Sequence, residues 1–348
     1  MRIIKKFAYA AVAVACAVGI AGCDQKKAKE YAGPKVAEGA IVAIAGRSAE
    51  TTSLAPLVKQ YKLDGISPDK MSQLPDDAKD FIKEIGLDKA DAKWFAVTVG
   101  DLSVLAKDGV PEFAVSMVAT LDLDATIAAV DKKCKEKKED VSFNKTTIAG
   151  VPAYEIVSKK DEKVVPCVAA LEGQLIIGAS SKAALEKQIA LYRDGKGESK
   201  DFGAFVLGAN DFLRVKAVKV GENAKKSIPD TSMLQMLNTF IPDGDKLVLG
   251  LGDVELAMGA SADGKNVTMD AVVNTASDAD ADKLVTLAKS GLMAGTAQMK
   301  KAAEKDADSK LAYEVLQGIK VVGEGKAFKV TATTAAEPVI KMIAEKSK

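Results

Sequence analysis

Four apolar segments in close succession decide the fold. They are Thr146-Thr147-Ile148, Ala153-Tyr154-Glu155-Ile156-Val157, Val164-Val165-Pro166-Cys167-Val168-Ala169-Ala170-Leu171 and Gln174-Leu175-Ile176-Ile177-Gly178-Ala179. They look like successive antiparallel strands, and Asp161-Glu162-Lys163 and Glu172-Gly173 supply turn chemistry between them. Short strands with short connections are expected to pair as antiparallel neighbours.

Working outward, the same period continues upstream. Trp94–Val99 reads as a strand, and in Glu112–Leu121 the residues Phe113, Val115, Met117, Ala119 and Leu121 alternate with less apolar positions. Ala125–Lys138 is an amphipathic helix capped by Asp124, and Ser181–Tyr192 is a second helix that closes the unit. Nearer the start, Ala40–Ala45 reads as a short buried strand. Leu54, Leu57, Val58 and Tyr61 then fall at helical spacing. Another helix is expected over Asp76–Ile85, stopped by Gly86. Gly195-Lys196-Gly197-Glu198-Ser199 reads as a linker.

Beyond that linker the order recurs. Gly203–Ala209 is expected as a strand, Ser232–Ile241 as a helix, and Lys246–Gly252 and Val254–Ala260 as strands. An Asp263-Gly264 turn leads to a strand over Val267–Asn274, and a helix follows over Asp278–Ser290. Phe328–Thr333 and Pro338–Lys346 supply a last strand and helix. No counterpart of Val164–Leu171 is visible, and a helical stretch, Gln298–Leu316, is inserted. The expected architecture is α+β: two tandem similar lobes, residues 38–200 and 201–348, each a mainly antiparallel sheet with helices on one face.

Composition excludes several classes of function. The chain carries 49 basic and 48 acidic side chains in 348 residues, and removing Arg2, Lys5 and Lys6 leaves 46 against 48. That balance gives no basic face for nucleic acid. There is no histidine, which removes histidine general bases, histidine-containing triads and histidine metal sites. With one tryptophan, Trp94, an aromatic stacking platform is not expected. No cofactor site is expected.

The start of the chain supplies an address. Met1–Lys6 is cationic, Phe7–Ile20 is apolar and uncharged, and Ile20-Ala21-Gly22-Cys23 closes the run with small residues and a thiol. This is the layout of a secretory signal, and the apolar run is too short to span a bilayer. Ile20-Ala21-Gly22-Cys23 resembles the lipobox of bacterial lipoproteins. The resemblance implies cleavage between Gly22 and Cys23, removal of residues 1–22, acylation of Cys23, and a body anchored to a cell-envelope membrane and facing the periplasm. Asp24 resembles an inner-membrane retention signal of enterobacterial lipoproteins, but other lineages sort differently, so inner and outer membrane both stay open. Residues 23–37 are expected to be the acylated cysteine and a flexible tether, of which Asp24–Ala37 reaches about 45 Å when extended. Gly150-Val151-Pro152-Ala153-Tyr154 and Gln174-Leu175-Ile176-Ile177-Gly178-Ala179-Ser180 are similar to segments of uncharacterised envelope lipoproteins with duplicated α+β lobes, which carry no activity over.

The remaining motifs have simpler structural readings. Asp122-Leu123-Asp124-Ala125-Thr126 matches the Asp-x-Asp-x-Thr start of haloacid-dehalogenase-type phosphatases, yet helix capping explains it. Ser67-Pro68-Asp69-Lys70 matches Ser-x-x-Lys without the partner motifs of penicillin-binding enzymes. Asp243-Gly244-Asp245 lacks the later ligands of a calcium loop, so no metal site is expected. Gly195–Gly197 lacks P-loop spacing. Cys134 and Cys167 are the candidate disulfide pair, the alternative being two buried thiols. Met233, Met236 and Phe240, with Leu237, form an apolar helical stripe that either lines a ligand groove or fills a core. No catalytic residue is assigned. The expectation is a membrane-anchored envelope lipoprotein acting as a non-enzymatic binding or scaffold module for a protein or lipid ligand. The alternatives are a periplasmic carrier of an apolar ligand such as lipid and, more weakly, a carboxylate-based hydrolase.

Overall fold

The computed structural model describes residues 31, 33–61, 92–107, 109–136, 138–158, 165–172, 174–203, 205–228, 235–236, 238–239 and 241–346. The leader, Cys23 and the helix expected over Asp76–Ile85 lie outside the described residues. Among the described residues there are twelve strands: β1 (Val42–Gly46), β2 (Ala92–Val99), β3 (Phe113–Ala119), β4 (Val141–Ile148), β5 (Val151–Ser158), β6 (Cys167–Leu171), β7 (Leu175–Ala179), β8 (Asp211–Ala217), β9 (Leu251–Ala260), β10 (Asn266–Thr275), β11 (Lys320–Glu324) and β12 (Ala327–Ala335). The α-helices among the described residues are α1 (Ala55–Gln60), α2 (Leu123–Glu136), α3 (Lys182–Asp194), α4 (Val220–Ser227), α5 (Gly244–Leu249), α6 (Asp278–Ala303), α7 (Ala307–Gln317) and α8 (Ala336–Lys346).

The class is α+β, but the strands form one sheet rather than two lobes. Its order is β11-β12-β10-β9-β8-β1-β2-β3-β7-β6-β5-β4, antiparallel throughout. The join is β1 against β8, with Ile44 opposite Val215. Reading outward from that join, each half places its first three strands in chain order, with its last strand beside the third. β11 takes the position next to β12 that β6 takes next to β7, which is where the sequence left a gap.

Local chemistry explains the elements. β3 forms as expected, but the set under α3 is Ala114, Ser116 and Val118, while Met117 and Ala119, of the expected apolar set, are buried in a separate cluster. Helix α3 starts where Ser181 accepts the Ala184 N–H and stops at Gly195, whose φ of 69° suits glycine. Leu185, Ile189 and Tyr192 share its buried stripe. In α6 the Ser277 hydroxyl accepts the Asp280 N–H and donates to the Asp280 carboxylate.

Several expectations are corrected. Residues 205–208 form no strand; the chain pairs one step later as β8, where Leu213, Val215 and Ala217 alternate with Arg214 and Lys216. Phe202 and Phe205 are instead buried beside the α3 core. Lys246–Gly252 is not a strand: α5 occupies Gly244–Leu249, with Leu247 buried, and β9 starts at Leu251. α6 runs to Ala303 and is separated from α7 by a break at which Asp306 caps the new helix. Gly195–Ser199 does not separate two bodies. Glu38 N–H donates to Gly197 O and Ser199 N–H to Val36 O, so this segment pairs with residues 36–38. The C-terminal part of the expected tether is therefore docked, with Val36 and Ala37 buried.

Helices lie on both faces, not one. α3 covers the face of Ala43, Ala96, Ala114, Ile177 and Ala169. Asp124 of α2 bonds to Lys145 and Tyr154, which point the opposite way from Ala153. α6 also lies on that opposite face, where a Cβ on Gly323 would touch Asp282 and Val285. α1 and α8 meet there over the β9–β10 hairpin, burying Leu54, Val58, Ala260, Ala336 and Ile340.

Candidate functional site

Following the register across the sheet puts a continuous row of side chains on one face. It runs Val321, Val330, Ala271, Leu256, Val215, Ile44, Val97, Val115, Gly178, Val168, Tyr154 and Lys145, one residue per strand. A parallel row runs Phe328, Val273, Val254, Ala217, Val42, Val99 and Phe113. From Val330 to Tyr154 every member of the first row is half-buried, as is every member of the second. A third patch, Met117, Ala119 and Ile176, is buried with Phe95, Leu121 and Val168 against it.

The opposite face is divided. In the β8–β12 half it carries Lys216, Glu255, Val272 and Lys329 in one row. Lys216 Nζ lies 2.8 Å from Glu255 Oε1, and Arg214 Nη2 lies 3.4 Å from Oε2. Burial raises the pKa of Glu255, but the two cations outweigh it and hold the carboxyl below its ordinary range. In the β1–β7 half the same face is a small-residue core under α3. The central strands β1, β2 and β3 are thus apolar on both faces, while β9 and β12 are apolar on one.

At the start of β2, an aromatic group fixes the docked arm. Trp94 stacks on Tyr192 at 6.2 Å, Tyr31 meets Tyr192 edge-on at 6.0 Å, and Trp94 Nε1 donates to Tyr31 O at 3.4 Å. The Tyr192 hydroxyl accepts the Lys35 N–H at 3.0 Å, and Lys35 Nζ donates to Leu191 O at 3.3 Å. Where the arm crosses β2, β3 and α3, a cavity of about 10 Å³ remains among Thr98, Gly100, Glu112, Ala114 and Gln188. That is room for one water and too little for an organic ligand.

No protein-family model, curated protein or solved structure matches the chain.

The sequence motifs resolve into structural contacts where they are described. Asp122, not Asp124, caps α2: its Oδ1 accepts the Ala125 N–H at 3.0 Å, and Thr126 Oγ1 donates to its backbone carbonyl at 2.7 Å. Asp124 lies two residues on, in the first turn, 2.7 Å from Lys145 Nζ and 2.8 Å from the Tyr154 hydroxyl. The Lys145 bond, then the Tyr154 bond, holds its carboxyl below the ordinary range. Both aspartates are exposed; Asp122 bonds the start of the helix, and Asp124 bonds the neighbouring strands β4 and β5. Asp243 pairs with Lys246 at 3.1 Å and Lys283 at 3.8 Å, while Asp245 Oδ1 is buried without a hydrogen-bond partner among the described residues. Among the described residues, no three His, Cys, Asp or Glu side chains converge to hold a metal ion. Ser67-Pro68-Asp69-Lys70 lies outside the described residues.

Cys134 and Cys167 form no disulfide. Cys167 is buried under α3, whereas Cys134 sits on α2, so the sheet stands between them. Of the methionine stripe, Met233 and Phe240 lie outside the described residues, and Met236 is 66% exposed. The apolar rows were not singled out from the sequence. Their signal was present in the alternation of β2, β3 and β9, but their continuity depends on strand order.

Proposed function

We propose that this chain is a lipid-anchored protein of the bacterial cell envelope, with a non-enzymatic binding module facing the periplasm. The lipobox-like Ile20-Ala21-Gly22-Cys23 supports the anchor. Because the arm is docked from Tyr31, only residues 24–30 separate Cys23 from the body. Seven residues span at most about 25 Å, so the body would be held against the bilayer rather than far from it. The single observation that carries the binding reading is the half-buried apolar band on the central strands, Leu256, Val215, Ile44, Val97 and Val115, between the strands that α6 and α2 contact. We read the two halves of the sheet as similar lobes fused at β1 and β8, a reading supported by their shared strand order.

Fractionating cells that express the full-length chain tests the anchor. Cys23→Ser should move the protein from membranes to the soluble fraction; unchanged fractionation would overturn the anchor. A turnover found on purified protein and abolished by one point substitution would overturn the non-enzymatic reading.

The band also favours a second reading, a carrier of an apolar ligand such as lipid. The α3 core already stabilises the β1–β7 half from one side, so Ile44, Val97 and Val115 form an additional apolar surface. Native mass spectrometry of gently extracted protein should then show bound lipid, diminished in Val97→Asn. A clean ligand-free mass argues for the scaffold role instead.

A further inference from the structure

The sixth helix, α6, has an outer face that the other described residues do not explain. Between Leu284 and Met299 it carries a single charge, Lys289. Yet on the side of Leu287 and Gly291, Ser290, Gly291, Ala294 and Gln298 are exposed and Leu287 is 38% exposed. A surface helix ordinarily turns charged residues outward. The glycines are unexplained too. A Cβ on Gly291 or Gly295 would meet nothing within 4 Å, so no contact among the described residues requires glycine there. Each costs about 1 kcal/mol of helix stability relative to alanine.

We propose that a second copy of this chain packs antiparallel on this face, about a twofold axis between Ser290 and Gly291. At 3.6 residues per turn, Asp280, Leu287, Gly291, Ala294, Gln298 and Lys301 fall within about 80° of one another. An antiparallel pair centred between residues 290 and 291 sets Ser290 against Gly291, Leu287 against Ala294 and Asp280 against Lys301. The large side chain meets a small one, and glycine and alanine let the two backbones come close. The charges select the partner. Of the acidic first turn and the basic last turn of α6, Asp280 and Lys301 lie on this arc, and Lys283, also on it, is 3.8 Å from Asp243. Two antiparallel copies place each end beside its opposite, and their helix dipoles oppose favourably. The contact is isologous, so it closes at a dimer. A membrane surface would instead favour cations at both ends of the uncharged stretch.

Cysteine crosslinking of the full-length chain in native membranes tests the pairing, with the wild-type chain setting the background from its own thiols. Gly291→Cys, and independently Ser290→Cys, should give a disulfide-linked dimer under mild oxidation, because residues beside the axis meet within bonding range. Met293→Cys, on a different side of α6 and highly exposed, should stay at background. Equal crosslinking from Met293→Cys, or none from both axial variants, overturns the proposal. Sedimentation of the extracted protein gives the charge arm. Lys301→Asp should weaken the dimer at least about tenfold, since like charges then face each other. Adding Asp280→Lys should restore it. Failure of that restoration, or a wild-type chain monomeric at all concentrations, also overturns the pairing.

Discussion

The Tyr192 hydroxyl lies 2.8 Å from Ser116 Oγ while accepting the backbone N–H of Lys35, so one buried oxygen ties helix, sheet and arm together. Tyr192→Phe keeps the ring contacts with Trp94 and Tyr31 but leaves the Lys35 N–H and the Ser116 hydroxyl without this partner. The expected cost is about 1–3 kcal/mol of stability, because buried polar groups would lose their hydrogen bonds. Denaturant unfolding measures it. Hydrogen exchange at Lys35 should also accelerate in the variant; an unchanged rate would show that the arm is held by other contacts.

The same hydroxyl sets a pH dependence. Burial pushes the Tyr192 pKa from 10 up to about 12, and the bonds from Ser116 and Lys35 only partly oppose this. A raised folded-state pKa means that the native state holds its proton longer than the unfolded state. The stabilisation is therefore complete below pH 10 and is lost as the pH climbs through about 12. Absorbance titration should show one phenolate forming only near that upper value, missing in Tyr192→Phe. Ionisation of Tyr192 at its ordinary value would contradict the buried arrangement.

Cys167 should be an inert thiol. Burial pushes its pKa from 9.0 up to about 11, the Glu155 charge adds to the rise, and Lys182 partly offsets it. At pH 8 only about one molecule in a thousand would carry the thiolate, the species that alkylating reagents attack. Iodoacetamide should leave Cys167 unmodified in the native protein and label it once the chain is unfolded in urea. Peptide mass spectrometry distinguishes the two states, and labelling at equal rates would refute the burial.

Much of the fold was legible wherever period and caps agreed. β3 carries Phe113, Val115, Met117 and Ala119 at every second position, and α3 has a serine at its start and a glycine at its end. The misreadings have physical causes. β8 was missed because Arg214 and Lys216 occupy the polar face, whereas the apolar run Phe205-Val206-Leu207, in which Phe205 is a buried plug, looks like a strand. α5 was read as a strand because a short apolar run such as Leu247-Val248-Leu249 has no decidable period. The single sheet depends on the pairing of Ile44 with Val215, which neither segment encodes alone. The apolar band was hidden for the same reason, since each row draws one residue from each strand.

Gly264 joins the two halves at a point where no side chain fits. It turns the β9–β10 hairpin with φ of 69°, and a Cβ there would lie 2.2 Å from the Ser53 carbonyl oxygen. Ser53, just before α1, donates its hydroxyl to Ser261 O at 2.6 Å, so loop and hairpin are already bonded at this spot. Gly264→Ala must therefore bear both an unfavourable backbone conformation and a backbone clash. The expected loss is about 2 kcal/mol or more, because a packed interface that cannot relax costs 1–3 kcal/mol before the strain is added. Gly325, at φ of 57° in the β11–β12 hairpin, is the control, since a Cβ there meets nothing within 4 Å. Gly325→Ala should lose only the backbone component. Thermal unfolding of the two variants separates the contributions, and equal losses would show that the Ser53 contact does not constrain the hairpin.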